Sequence, residues 1–232
     1  MNATPAYLVR LQLKESVADS GEYPFVIPVI RTLSIEFTAP VTFFVGENGT
    51  GKSTVIEAIA ALCKLPVSGG GRNELAGNHG PDTSSALAQA LRPSFRRRPP
   101  DAYFLRAEFQ AHFASLLDAP ESALSPQRQL ALLAHMSALV ATGKSQFIIA
   151  THSPILLTFP DAQILSFDGD ALRTISLEDT SHFQITKGIL QNPAVYWKHL
   201  QERADNQNEP LHAKPRRSKS RADERVDQAS ED

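Results

Sequence analysis

The chain carries one cysteine, Cys63, among 232 residues. A lone thiol excludes an internal disulfide framework and a cysteine-built zinc site. An excess of charge of either sign is also missing. Lys and Arg number 23 against 25 Asp and Glu, a net charge of −2, which gives no global electrostatic case for nucleic acid or an anionic membrane. Apolar runs are short, and none approaches the ~20 residues of a membrane-spanning helix. The opening stretch, MNATPAYLVRLQLKES, lacks the basic-then-apolar order of a secretory signal. These absences lead to the expectation of a soluble, cytoplasmic protein with no membrane partner. Residues of hydrophobic type make up 42% of the chain, enough for one large α/β domain or at most two small ones.

Short elements are legible along the chain. Residues 6–13 (AYLVRLQL) alternate and read as a strand. Residues 23–37 (YPFVIPVIRTLSIEF) read as further strand interrupted by Pro24 and Pro28. Residues 41–45 (VTFFV) are continuously apolar, the pattern of a strand buried on both faces. After a glycine-rich loop, Val55, Ile56, Ile59 and Leu62 recur at helical spacing. Residues 66–85, rich in Gly, Ser, Asn and Pro, read as a flexible loop, and residues 86–91 as a short helix ending before Pro93. Residues 96–100 (RRRPP) form a basic connector, and residues 102–117 (AYFLRAEFQAHFASLL) fit both a strand start and a helical face.

Ser125 before Pro126 opens the clearest helix, with Leu130, Leu133, Met136 and Leu139 or Val140 on its apolar face and Gly143 at its end. Residues 147–150 (FIIA) read as another buried strand. Residues 163–167 and 171–176 read as a hairpin turning at Asp168-Gly169. Residues 181–200 read as helix broken at Asn192-Pro193, and from Gln201 the charges alternate in a stretch expected to be disordered. The organisation expected is one domain over residues 1–200 and a charged tail over 201–232.

The chemistry concentrates between the second apolar strand and its helix. Gly46-x-x-x-x-Gly51-Lys52-Ser53 satisfies the phosphate-loop pattern. Glycines let successive backbone N–H groups turn inward around a phosphate. The helix that follows adds its positive end. In such a loop Lys52 reaches the outer phosphates and the Ser53 hydroxyl ligates Mg²⁺.

Beyond the pattern itself, residues 46–54 (GENGTGKST) resemble the Walker A loop of ABC-type ATPases of the AAA-family kind, compact relatives of SMC and RecF heads. Residues 116–127 (LLDAPESALSPQ) resemble the family's Walker B segment and D-loop, and residues 147–156 (FIIATHSPIL) its switch-histidine segment. The resemblance covers roughly residues 6–200. It implies an α/β P-loop NTPase fold, a twisted mixed sheet flanked by helices with nucleotide at the strand ends, and ATP with Mg²⁺ as cofactors. On that resemblance Gly46, Asn48, Gly49, Gly51, Lys52, Ser53 and Thr54 bind phosphate, and Ser53 and Asp118 hold the metal. Asp118 corresponds to the Walker B aspartate and His152 to the histidine that senses the γ-phosphate. Ser122, Ala123, Leu124 and Ser125 match the D-loop, and Glu108 or Gln110 falls near the Q-loop.

Two departures bear on activity. The family places a glutamate after the Walker B aspartate, and here that position is Ala119. A methyl group neither accepts a proton nor orients water, and general-base assistance is worth ~10²- to 10⁴-fold. Glu121, two residues on, begins the D-loop approach and is a poor substitute. The Ser-Gly-Gly-type signature subdomain is also missing between the Q-loop region and Asp118, and Gly69-Gly70-Gly71 lies before that interval.

The first reading is therefore an ATP-binding protein of ABC-type descent, an ATP hydrolase by resemblance whose turnover is slow or lost. The alternative is a non-catalytic nucleotide-binding or protein-interaction module. A phosphotransferase would need a basic lid and an acceptor pocket, and neither is identifiable. A second copy of the chain, another protein, or DNA through Arg92, Arg96, Arg97 and Arg98 remain open as partners, although a charge run is ordinarily a solvated face. A further basic cluster, Lys214, Arg216, Arg217, Lys219 and Arg221, lies in the tail. His79, His112, His135, His182, His199 and His212 show no metal-ligand spacing and read as solvated or core residues, and Cys63 as a small buried hydrophobe.

Overall fold

The computed structural model describes residues 5–14, 21–65, 70–71, 83–104 and 125–207. The chain divides into two compact units, Met1–Lys187 and Gly188–Asp232.

Among its described residues the first unit holds three sheets. In one, strand β1 (Leu8–Leu13) lies between β2 (Ser34–Glu36) and β5 (Leu91–Phe95), antiparallel to both. In the second, the order is β7-β3-β8-β9, formed by Phe147–Ala150, Val41–Val45, Gln163–Ser166 and Arg173–Ile175. Strand β3 runs parallel to β7 and β8, and β8 turns back antiparallel into β9. Gly70–Gly71 (β4) and Tyr103–Phe104 (β6) make a two-residue pair.

All five residues of β3 are buried, as its unbroken apolar run predicts. Its alternation divides the core. Val41, Phe43 and Val45 face one cluster with Met136, Leu156, Leu157 and Ile164, while Phe44 faces another with Val55, Ile59, Leu165 and Phe167. Helix α2 (Lys52–Leu62) covers the second cluster through Val55, Ala58 and Ile59. Helix α4 (Pro126–Ala141) covers the first. Burial of each such aromatic or aliphatic side chain contributes about 1.5–3 kcal/mol, so β3 is firmly held between the two clusters.

The two larger sheets are joined by side-chain amides. The Gln146 Oε1 accepts from the backbone N–H of Tyr7 and Leu8 at 3.1 and 2.9 Å, and its Nε2 donates to Leu8 O at 2.8 Å. The Gln163 Oε1 accepts from Thr38 N at 3.1 Å and Thr42 Oγ1 at 3.3 Å, while its Nε2 donates to Glu36 O at 2.8 Å.

Several elements depart from the sequence reading for local reasons. Residues 23–37 are not one interrupted strand. Pro28, with its fixed φ, opens the one-turn helix α1 (Pro28–Arg31), and strand resumes only at Ser34. The Arg31 Nε donates to Phe25 O at 3.0 Å and closes that turn. Helix α3 starts earlier than expected, at Thr83, and ends at Ala90. Pro93 then sits inside β5, which has β1 as its one hydrogen-bonded neighbour among the described strands, where a missing N–H is tolerated. In α4, Ser125 accepts from Arg128 N at 3.5 Å and Gly143 turns the chain at φ 67°. Its inward face is Leu132, Leu133, Met136 and Val140, whereas Leu130 and Leu139 are 58% and 49% exposed. Strand β7 is half-buried, with β3 its one described neighbour. Cys63 is also half-buried against apolar side chains.

Helix α5 (Ser181–Gln191) ends at the expected break. In the second unit α6 (Pro193–Gln207) begins with Pro193 at its first position, where Asn192 Oδ1 accepts from Val195 N at 3.4 Å. Among the described residues, no helix is long and apolar enough to cross a membrane.

Candidate functional site

The loop from Gly46 to Gly51 leaves the carboxyl end of β3 and enters α2 at Lys52. Gly46, Gly49 and Gly51 adopt φ of 136°, 84° and 96°, values that L side chains rarely reach. Space is short at two of them. A Cβ on Gly46 would lie 2.9 Å from Asp168 Oδ1, and one on Gly51 would lie 3.2 Å from Ile30 Cδ1. Conformation therefore favours glycine at both points, and at Gly46 a side chain would also have to displace the Asp168 carboxylate.

Lys52 is folded back over the loop and is only 7% exposed. Its Nζ donates to Gly46 O at 2.6 Å, Glu47 O at 2.7 Å and Thr50 Oγ1 at 3.5 Å. All three acceptors are neutral oxygens. Burial pushes the Lys52 ammonium below its ordinary pKa, opposed by the charges of Asp168 and Glu47. Next to it, the first turn of α2 has no side-chain cap and no acidic residue. A buried cation and an uncapped helix start thus lie together, a combination that favours an anion. Ser53 is exposed, while Thr54 is buried and shares a 3.0 Å hydrogen bond with the Tyr23 hydroxyl.

Asp168 fixes the loop from the neighbouring strand. Its Oδ1 accepts from Glu47 N at 2.8 Å, and its own N–H donates to Ser166 Oγ at 3.2 Å. The Arg173 guanidinium donates to Asp168 O at 3.4 Å. Asp168 and Gly46 help to line a cleft of about 340 Å³ with Ser166, Arg173 and His182. On its other side the loop borders a wider depression of about 730 Å³, walled by Val26, Ile27, Pro28 and Val29.

His152 follows the parallel strand β7. Thr151 is buried and its N–H donates to Phe44 O at 3.1 Å, extending the β3–β7 ladder. The Ser153 hydroxyl hydrogen-bonds Gln129 of α4. His152 Nδ1 lies 2.8 Å from His182 Nε2, with the rings tilted by 51°. Burial, then the charges of Lys52 and His182, hold the His152 pKa below its usual value, while Glu47 and Asp168 pull the other way. His152 is therefore within electrostatic reach of the loop.

Of the residues singled out in the sequence, Gly46, Asn48, Gly49, Gly51, Lys52, Ser53 and Thr54 form this loop and helix start, and His152 stands near it. Asp118 lies outside the described residues, as do Glu108, Gln110, Ala119, Glu121, Ser122, Ala123 and Leu124. Among the described residues no group of three or more His, Cys, Asp or Glu side chains could hold a metal ion. In the arginine run, Arg97 lies over the Tyr7 ring and Arg98 over the Phe95 ring.

Two neighbours of the loop escaped the sequence reading. In the sequence Asp168 reads as a turn residue, yet it follows the carboxyl end of a strand parallel to β3, the place where such sheets present ligand-facing groups. His182 reads as a solvated or core histidine, and nothing in its local sequence points to His152.

A family model described as an AAA domain matches residues 25–98. The match includes the whole loop and α2 and stops short of Asp118 and His152. No curated protein and no solved structure matches the chain. The matched domain supports a nucleotide-binding function of ATPase type, and the mixed sheets flanked by helices are consistent with an AAA-type P-loop fold.

Proposed function

We propose that the chain binds ATP with Mg²⁺ as an ABC-type member of the AAA-family ATPases, and that its hydrolysis is impaired. The observation that carries this reading is the buried Lys52 ammonium, hydrogen-bonded among the described residues to neutral oxygens, beside an uncapped helix start. A triphosphate tail adds a strong anion to both, beyond the carboxylates of Asp168 and Glu47 that already act on Lys52. Gly46, Asn48, Gly49, Gly51, Lys52, Ser53 and Thr54 hold the phosphates by backbone N–H groups and the ammonium. Ser53 and Asp118 hold the metal, which supplies charge neutralisation when bound. The apolar wall from Val26 to Val29 offers a surface for the base. His152 contacts the terminal phosphate. Ala119 leaves the attacking water without a general base, and the absent signature leaves the site without the wall that a second copy of the chain would supply in the family.

Thermal unfolding with and without ATP and Mg²⁺ tests this. A ligand at 100 times its Kd stabilises the native state by about 2.7 kcal/mol, a rise in Tm of roughly 5–10 °C for a chain of this size. Lys52→Ala should abolish the rise. Phosphate release should be slow and should increase in Ala119→Glu if the base alone is missing. Fast turnover that depends on Lys52 would overturn the impairment. No shift at millimolar ATP would favour the second reading, a scaffold for a protein partner, which Ala119 and the missing signature equally motivate.

A further inference from the structure

Resting on the ATP-binding reading above, we infer that His182 is a positioning residue for His152. Through its ring hydrogen bond it fixes the tautomer in which His152 offers an N–H to the terminal phosphate.

The geometry is a 2.8 Å contact between His152 Nδ1 and His182 Nε2. Such a bond needs one proton and one lone pair, and a neutral imidazole has one of each. If His152 donated through Nδ1, its Nε2 would carry a bare lone pair, which repels phosphate oxygens. If His182 donates through Nε2, the His152 proton resides on Nε2, where it can be given to a phosphate. The partner thus decides whether His152 is a donor or an acceptor at the site.

Lys52 from α2, Glu47 from the loop, Asp168 from the β8–β9 hairpin and His182 from α5 all act on His152, with burial favouring its neutral form. His182 itself is held on a fixed helix start. Thr180 is 2% exposed, its hydroxyl donates to Leu177 O at 2.7 Å, and Phe183 N donates to that hydroxyl at 3.3 Å.

The test combines long-range ¹H–¹⁵N NMR of the imidazole nitrogens with ATP and ADP affinities in Mg²⁺, on the full chain and on His182→Ala and His182→Gln. Glutamine can place its amide nitrogen where Nε2 stands and donate from there, so it should rescue. In the wild type, His152 should be protonated on Nε2. In His182→Ala the two tautomers should mix, and ATP affinity should fall about twofold, the cost of a half-populated binding form, with ADP affinity unchanged. His182→Gln should restore both. A wild-type His152 protonated on Nδ1 would overturn the inference. So would an unchanged ATP-to-ADP ratio in a folded His182→Ala, and either result leaves the ATP reading standing. A wild type that gains no stability from ATP overturns that reading, and this inference with it. Should His182→Ala not fold, the wild-type tautomer and the glutamine variant decide.

Discussion

Asp168→Ala should loosen the phosphate loop, and Gly46 allows the effect to be dissected. The carboxylate accepts from Glu47 N at 2.8 Å, and a charge-assisted bond of this kind contributes about 1.5–3 kcal/mol. For a chain of this size that is a fall in Tm of roughly 3–12 °C. Asp168→Asn, which keeps an acceptor oxygen, should lose less. Gly46→Ala carries two costs. One is the backbone conformation at φ 136°, about 1–3 kcal/mol for a residue with a side chain. The other is crowding by Asp168 Oδ1 at 2.9 Å and Cγ at 3.3 Å, with Phe167 Cβ also at 3.3 Å. Removing the carboxylate removes the first two of those contacts. The double variant should therefore be more stable than the sum of the single losses predicts, by about 0.5–3 kcal/mol. Urea unfolding of the four proteins gives the coupling. Strict additivity, or an Asp168→Ala midpoint equal to wild type, would show that Asp168 neither holds nor crowds the loop.

Gln163→Leu should destabilise by about 2–5 kcal/mol in urea, because it leaves the Thr38 N–H and the Glu36 carbonyl without their partner. An unchanged midpoint would remove the amide junction from the account. Phe44→Ala should cost about 3–5 kcal/mol, since Phe44 is fully buried and tilted against Phe167 at 4.8 Å, and Phe147→Ala, half-buried at β7, should cost less. His152 has a folded pKa below its ordinary 6.5, so below that pH the unfolded chain takes up its proton first. Its contribution is intact above about pH 6.5 and is lost as pH falls towards the folded value. Tm measured from pH 7.5 down to 5.5 should fall less steeply in His152→Asn than in wild type; equal slopes would refute the assignment.

What could be read from the sequence was local. The run from β3 through the glycines into α2 is contiguous, and each part restricts the next, so Gly46 to Thr54 emerged together. The break before Pro193 and the start of α4 follow from single residues with fixed backbone preferences. Amphipathic phase was harder. Spacing puts Leu130, Leu133, Met136 and Leu139 or Val140 on one face; α4 meets the sheet through Leu132, Leu133, Met136 and Val140, and only the position of the sheet turns Leu130 and Leu139 outward. Pro28 opens a helix turn where strand is expected, whereas the helix does end before Pro93, which then sits in a strand with one neighbour among the described strands. Asp168 and His182 depend on contacts across 121 and 30 residues, which no local pattern encodes.

The glutamine junction between the sheets has a chemical consequence. Hydrolysis of a side-chain amide to a carboxylate changes one atom and almost no volume. At Gln146 or Gln163 it would replace a donating N–H with an anionic oxygen facing a backbone carbonyl, Leu8 O or Glu36 O. Spontaneous deamidation at either position would therefore turn attraction into repulsion where the two sheets meet, and the apolar cluster that they share would have to hold them against it.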